Sequence, residues 1–225
     1  MMALSRPSQA VVRSSPIRWA LASLASLSLL SLQARAQGWG EKPYMGSFFW
    51  NTAQPVGDTH DFIAAYSWLG FTFEGDRFHS PSFSTGIVLG WQEIYDQSGF
   101  GTYNFPQGAA TGTTYRHLMV VPILVKARYW TGGTHQGRSM HPFVGGAIGT
   151  YYIRQTLDFG IYTAEESNWH FGLAPEAGIV MGQIRGAAWT LLARYNYPVK
   201  AGAYLNSNKA AWSYLQFGIG IGAAP

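Results

Sequence analysis

The chain has 225 residues, of which 47% are hydrophobic, 16% aromatic and only 12% charged, with 27 glycines and a formal net charge of +4. It has no cysteine, which excludes a disulfide scaffold. After the first forty residues no apolar run reaches the ~18 residues of a spanning helix, so a helical membrane protein is excluded as well.

In chain order, residues 1–36 read as a secretory signal peptide. Arg6, Arg13 and Arg18 form its positive start, and Trp19 to Leu32 its apolar middle. Ala34-Arg35-Ala36 is a small-x-small cleavage site. The apolar run is short for a membrane anchor helix. No cysteine follows the cut, which excludes a lipoprotein anchor. Four of the fifteen basic residues lie in this segment and none of the eleven acidic ones. The remainder, residues 37–225, is therefore near neutrality, and its charge gives no reason to expect nucleic acid.

Residues 37–225 are expected to form one domain of many short alternating strands. The first strand covers Tyr44 to Thr52. Pro55 to Asp61 is a loop, with Asp58 or Thr59 placed to cap a short turn of helix. In the second, Ser67 to Arg77, Leu69, Phe71 and Phe73 share one face, and Gly70, Thr72 and Glu74 the other. The third, Phe83 to Tyr95, sends Ile87, Leu89 and Trp91 one way and Ser84, Gly86, Val88 and Gln92 the other. The fourth, His117 to Trp130, opposes Val121, Ile123, Val125 and Tyr129 to Pro122, Leu124, Lys126 and Arg128. The fifth spans Pro142 to Arg154, where Gly145-Gly146 leaves the two faces open. The sixth is the clearest. Trp169, Phe171, Leu173, Pro175, Ala177, Ile179 and Met181 form a greasy face. The opposite face is small, with Glu176 as its single charge. A turn at Gln183 to Gly186 leads to the seventh strand, Ala187 to Val199, with Trp189, Leu191 and Tyr195 on one side and Thr190, Arg194 and Asn196 on the other. The eighth, Trp212 to Ile221, alternates Leu215, Phe217, Ile219 and Ile221 with Tyr214, Gln216 and two glycines.

Successive side chains of a strand face opposite sides. A soluble sheet would wet its second face with Lys, Glu and Thr, not with Gly and Ala. Apolar outside and small or polar inside is the pattern of a transmembrane β-barrel. The fold class is thus all-β, a single antiparallel barrel of about eight strands. A soluble barrel of the lipocalin type would match the strand number but not the greasy outer faces. Long connections at about residues 54–66, 97–115, 156–167 and 200–210 alternate with short turns. Two aromatic belts are expected. Trp68, Trp91, Tyr95, Trp169, Tyr195, Tyr197 and Trp212 lie near the loop end, and Phe83, Tyr129, Trp130, Phe143 and Trp189 near the turn end.

Several blocks carry a resemblance. Pro55-Val56-Gly57-Asp58-Thr59 with Phe62, Ser67-Trp68, Gly70-Phe71 and Gly90-Trp91 come first. Pro122-Ile123-Leu124, Pro142-Phe143-Val144-Gly145, Gly149-Thr150-Tyr151-Tyr152 and Trp169 to Glu176 follow. Together they resemble a family of small bacterial outer-membrane β-barrels, similar more loosely to the OmpA/OmpX type. The resemblance implies an eight-stranded barrel in the bacterial outer membrane, with outer-membrane lipid and the insertion machinery as partners. It brings no catalytic residues. Such barrels often end on an aromatic residue; here Phe217 stands nearest to that role.

The inward set carries Glu74, Lys126, Arg128, Glu176 and Arg194. An eight-stranded barrel is just wide enough to be filled by side chains, so these charges are expected to pair and plug the lumen. The alternative use of the same charges is a narrow porin-like channel for small or apolar solutes. His60 beside Asp58 and Asp61 reads as loop rather than metal site, and His135 and His141 flank a turn. No metal or cofactor is expected. A barrel enzyme modifying envelope lipid would need His170, Ser167 and Glu166 together in space, which an extended strand does not arrange. No G-x-S-x-G or H-E-x-x-H occurs, and no enzyme activity is expected. The expected role is structural, or surface interaction through the loops with an extracellular ligand.

Overall fold

The computed structural model describes residues 44–105, 108–134, 139–159, 162–182, 187–199 and 211–223. The expected signal segment and the expected loop at 200–210 lie outside them, as does the turn at 183–186. Eight strands follow one another around a closed antiparallel barrel. They are β1 (Tyr44–Pro55), β2 (Ser67–Ser80), β3 (Phe83–Phe105), β4 (Gly108–Trp130), β5 (Met140–Phe159), β6 (Tyr162–Gly182), β7 (Ala187–Pro198) and β8 (Tyr214–Ala223). Each pairs with its neighbour in sequence. Closure comes from β1 on β8, continuous from Gly46↔Ala223 to Pro55↔Tyr214. A closed barrel leaves no strand edge among the spanning segments, which removes the unpaired backbone that a membrane would penalise.

A two-residue break at 81–82 joins β2 to β3, and a turn after Trp130 uses Gly132 and Gly133 at φ +79° and +71°, where a side chain would be strained. These connections and both barrel termini define the turn end. The loop end carries the links β1–β2, β3–β4, β5–β6 and β7–β8. Between β1 and β2 sits a five-residue helix, α1 (Asp58–Phe62). Its N-cap is Gly57, with no side-chain cap, so neither Asp58 nor Thr59 caps it. Thr59 is already inside the helix, and Asp58 instead accepts the Ala211 amide at 2.9 Å.

The segments 97–115 and 156–167 are not loops in their described parts. β3 and β4 pair as far as Phe105↔Gly108, and β5 and β6 as far as Phe159↔Tyr162. The apolar alternation fades there because those residues leave the barrel, while Thr, Tyr and Phe keep the segments extended.

Outward side chains are exposed and apolar along the strands: Phe71 and Phe73, Ile87 and Leu89, Ile123 and Val125, Val144 and Ile148, Leu173, Leu191, Ile219 and Ile221. Exposed aromatics include Tyr66, Trp68, Tyr95, Trp169 and Tyr197 toward the loops and Tyr44, Phe83, Tyr129 and Trp189 toward the turns, with Trp50, Phe71, Phe73 and Phe217 between the two ends. Five expected belt members are not among them; of these, Trp91 and Tyr195 are half-buried. Trp130, Phe143 and Trp212 are buried inside. Trp130 follows outward Tyr129, so alternation overrides its position near the rim, whereas Trp212 precedes β8 in a non-strand segment, 211–213, that is buried throughout. Phe143 sets the open register of β5, with Ala147, Tyr151 and Ile153 inward beside it.

Candidate functional site

The lumen is filled in layers. At the turn end Met45, Phe49, Phe78, Trp130, Phe143, Val180, Ala188 and Leu192 form an apolar floor. Trp130 is its centre, with ring centroids 5.3 Å from Phe78 and 5.1 Å from Phe143.

Above it lies a layer of six charges. β2 supplies Glu74 and Asp76, β4 supplies Lys126 and Arg128, β6 supplies Glu176 and β7 supplies Arg194. Lys126 Nζ sits 2.6 Å from Glu74 Oε2 and 2.7 Å from Asp76 Oδ2. Arg128 reaches all three carboxylates: Glu74 at 2.6 Å, Asp76 at 2.9 Å and Glu176 at 2.5 Å. Arg194 donates through Nε to Glu176 at 2.9 Å. Its Nη2 reaches Glu74 at 2.5 Å and also touches Glu176. The Arg128 guanidinium lies 4.4 Å from the Phe143 ring centroid, which ties this layer to the floor. A second tie runs from Trp130 Nε1, which donates to Ser84 Oγ at 3.0 Å; Ser84 donates in turn to Asp76 at 3.3 Å.

All six residues are buried, and three cations face three carboxylates. Stripping a charge of water costs several kcal/mol, of the order that only a complete set of partners offsets. Here every charge of the layer has at least two partners. Glycines make the space. A Cβ on Gly86 would lie 2.0 Å from the Gly75 carbonyl and 2.8 Å from Lys126 Cε; one on Gly145 would lie 2.4 Å from the Ala127 carbonyl and 3.0 Å from Arg128 Cγ.

The next layer toward the loops is amide and hydroxyl. Tyr151 donates to Asn196 at 3.2 Å, Asn196 to Gln216 at 2.9 Å, and Gln216 to Thr72 at 3.3 Å. Asn51 also donates to Thr72. Gln92, on the wall nearby, donates to Ser67 Oγ and the Leu69 carbonyl, both at 3.0 Å. An apolar cluster including Ile63, Ile94, Leu118, Val120, Ile153 and Trp212 closes the loop end.

Glu74, Lys126, Arg128, Glu176 and Arg194 thus meet in one layer. Asp76 completes it and is absent from the sequence reading, although it follows Glu74 by two residues on the same face. The histidines stay apart. His170 faces inward and lies 3.0 Å from the Val199 carbonyl through Nδ1. Ser167 has opposite parity on β6 and is exposed, so the two do not share a face. His141 is buried at the turn end, and His135 lies outside the described residues. Among the described residues no group of three or more His, Asp or Glu is placed to hold a metal.

At the loop end four strands outrun the rest. β2 leaves β3 at Leu69↔Glu93, and β7 leaves β6 at Gly172↔Pro198. β3, β4, β5 and β6 continue beyond as a sheet. Its outer face carries an exposed ion pair, Arg154–Glu165 at 2.7 Å, His117 3.4 Å from Glu93, and Tyr95 stacked on Tyr115 at 6.3 Å.

No protein-family model matches the chain, and no curated protein does. Solved structures similar to it include Neisserial surface protein A, at 15% identity, covering 80% of this chain and 96% of that one with a TM-score of 0.49. Ail, the attachment invasion locus protein of Yersinia pestis, is 11% identical in its complex with a heparin analogue, covering 83% and 100% with a TM-score of 0.46. The N-terminal β-barrel domain of Pseudomonas aeruginosa OprF is 10% identical, covering 80% and 96% with a TM-score of 0.42. The barrel described above is defined by the chain's own strand pairing.

Proposed function

We propose that the protein is an integral outer-membrane barrel with a lumen shut by its charge layer, and that it acts in surface interaction through the sheet standing beyond the barrel. One observation carries the reading: apolar side chains cover the outside of a closed barrel whose inside is charged and polar. In water that exterior would be a large unpartnered apolar surface; in a bilayer it is the required one. Outer-membrane lipid is then the permanent partner, and the insertion machinery a transient one.

The filling supports the closed lumen. A solute would have to pass the apolar floor and separate Arg128 from three carboxylates at once. The surface role is supported by the extended parts of β3 to β6, which place tyrosines, an arginine and acidic groups outside the lumen. An extracellular ligand would meet these first.

The test is ion conductance across a planar bilayer, using the chain without residues 1–36, refolded in detergent and checked for β-structure. A silent bilayer is the expected result. Discrete conductance steps that change when Lys126 or Arg194 is neutralised would replace the closed barrel by a channel.

A further inference from the structure

One cation of the outer wall stands without a carboxylate. Arg77 lies on β2 near the turn end, between buried Asp76 and Phe78, and is exposed. Among the described residues the other lysines and arginines are engaged. Lys126, Arg128 and Arg194 belong to the charge layer, Arg154 pairs with Glu165, and Arg116 donates to the Phe62 carbonyl at 2.9 Å. Arg77 forms no ion pair with a described residue. Its guanidinium carbon lies 5.9 Å from the ring centroid of Tyr44, its partner on β1, and its partner on β3 is Thr85. His79, two residues on along the same face, sits 2.6 Å from Thr85 Oγ1 through Nε2. Guanidinium, imidazole and hydroxyl thus share one patch of the outer wall, at the level of exposed Tyr44 and Phe83.

Toward the middle of the barrel the wall beside this patch is bare. Gly46 and Gly75 face each other across β1 and β2, two residues beyond Tyr44 and Arg77, and both occupy outward positions. A Cβ on Gly46 would meet nothing within 4 Å, and one on Gly75 only Ile87 Cγ1 at 3.8 Å. The next outward pair, Phe48 and Phe73, closes the far end with ring centroids 5.0 Å apart. Ile87 flanks the glycines from β3. The wall therefore has an open notch, polar and cationic at its turn side and apolar at its other end. The strand rise places these two ends about 14 Å apart, four residues along β2. A phospholipid has this profile where its phosphate passes into glycerol and the first methylenes.

We infer that Arg77 and the notch at Gly46 and Gly75 form a seat for one anionic phospholipid of the surrounding bilayer, its phosphate against Arg77 and Thr85 and its glycerol end over the glycines. The inference rests on the membrane reading proposed above, which turns this wall toward lipid. Charge selects the class of lipid. A zwitterionic lipid carries its own ammonium beside the phosphate, whereas an anionic one leaves the phosphate to be neutralised by the protein. One arginine near an anionic membrane surface is worth about a fivefold preference.

The chain without residues 1–36 is refolded in detergent and mixed with equal amounts of phosphatidylglycerol and phosphatidylcholine of the same acyl chains. Native mass spectrometry then reads which lipid stays bound. The parent is expected to retain about fivefold more phosphatidylglycerol than phosphatidylcholine. Arg77→Gln should bring the two close to parity, and Arg154→Gln, which alters a paired cation at the loop end, should keep the parent's preference. Gly46→Leu fills the notch without touching the fold and should lose bound phosphatidylglycerol. Equal retention of the two lipids by the parent would overturn the inference, as would a preference that survives Arg77→Gln or vanishes equally in Arg154→Gln. Retention unchanged by Gly46→Leu would overturn it too. Insertion into phosphatidylcholine vesicles, read as a band shift between heated and unheated protein, separates the two ideas. A parent that inserts and shows no preference removes the lipid seat alone; a parent that refolds in detergent and never inserts removes the membrane reading and the seat with it.

Discussion

Glu176 and Glu165 are two glutamates of one strand in opposite circumstances. Glu176 accepts from Arg128 and Arg194 inside the barrel, and truncating it leaves both cations buried and short of a partner. Glu176→Ala is expected to destabilise the barrel by about 3–5 kcal/mol, read as a lowered denaturant midpoint. Glu165 pairs with Arg154 in the open, so Glu165→Ala should leave the midpoint close to that of the parent; equal midpoints would remove Glu176 from the lumen. Backbone space gives a second contrast. Gly86→Ala drives a methyl into the Gly75 carbonyl and Lys126, whereas a Cβ on Gly75 meets only Ile87 Cγ1 at 3.8 Å. Gly86→Ala should refold poorly or melt early, and Gly75→Ala should refold normally, as band shifts of heated against unheated protein would show. The charged partners were legible in the sequence because inward positions are otherwise small or neutral. Asp76 carried the same parity signal. It sits beside Arg77 near the strand end, where a polar residue also reads as the approach to a turn.

At the scale of elements, the long hairpins separate two causes of strand formation. Within the barrel, strands show apolar alternation because one face meets lipid or its equivalent. Beyond Glu93 and His170 there is no such face, and the strands persist because each has a paired neighbour. Hydropathy fails there by construction, and residues 97–115 and 156–167 look like loops. The buried inward residues end at Ile94 on β3 and at Thr114 on β4. Replacing residues 99–111 by a short turn should therefore leave the melting temperature and the heat-modified gel shift of the barrel unchanged. A collapse of folding would show that the extension is part of the barrel's stability and not only of its surface. α1 is the opposite case: a real element at an expected place, begun by Gly57 where a side-chain cap on Asp58 or Thr59 was expected. Asp58 was drawn away by a backbone amide 153 residues further along the chain, a partner invisible to local spacing.

For the whole molecule, the exterior decides the solvent. Leu191 faces outward between Trp189 and Tyr195 on β7, with Ile179 and Ile219 as its cross-strand neighbours. In a bilayer, Leu191→Arg should cost about 2–4 kcal/mol, the penalty for a cation near the midplane. In a water-soluble barrel the same change would be neutral or would improve solubility. Stability of the variant folded into lipid vesicles distinguishes the two. Net charge supports the same division: the six lumen charges cancel, so the barrel can lose water without leaving an excess charge inside.

Sequence alone determined the strand count, the two faces of most strands and five of the six inward charges, because a period of two is written residue by residue and needs no knowledge of neighbours. The tertiary structure decided the rest, and the reason is distance along the chain. Arg194 reaches Glu74 across 120 residues, and β1 finds β8 only when the sheet closes. The register of β5 waited on Arg128 of the neighbouring strand filling the space at Gly145. The seating of α1 at the loop end waited on Arg116 from one place in the chain and on Ala211 and Trp212 from another. Local pattern shows which way a side chain faces; only closure of the barrel decides what it meets.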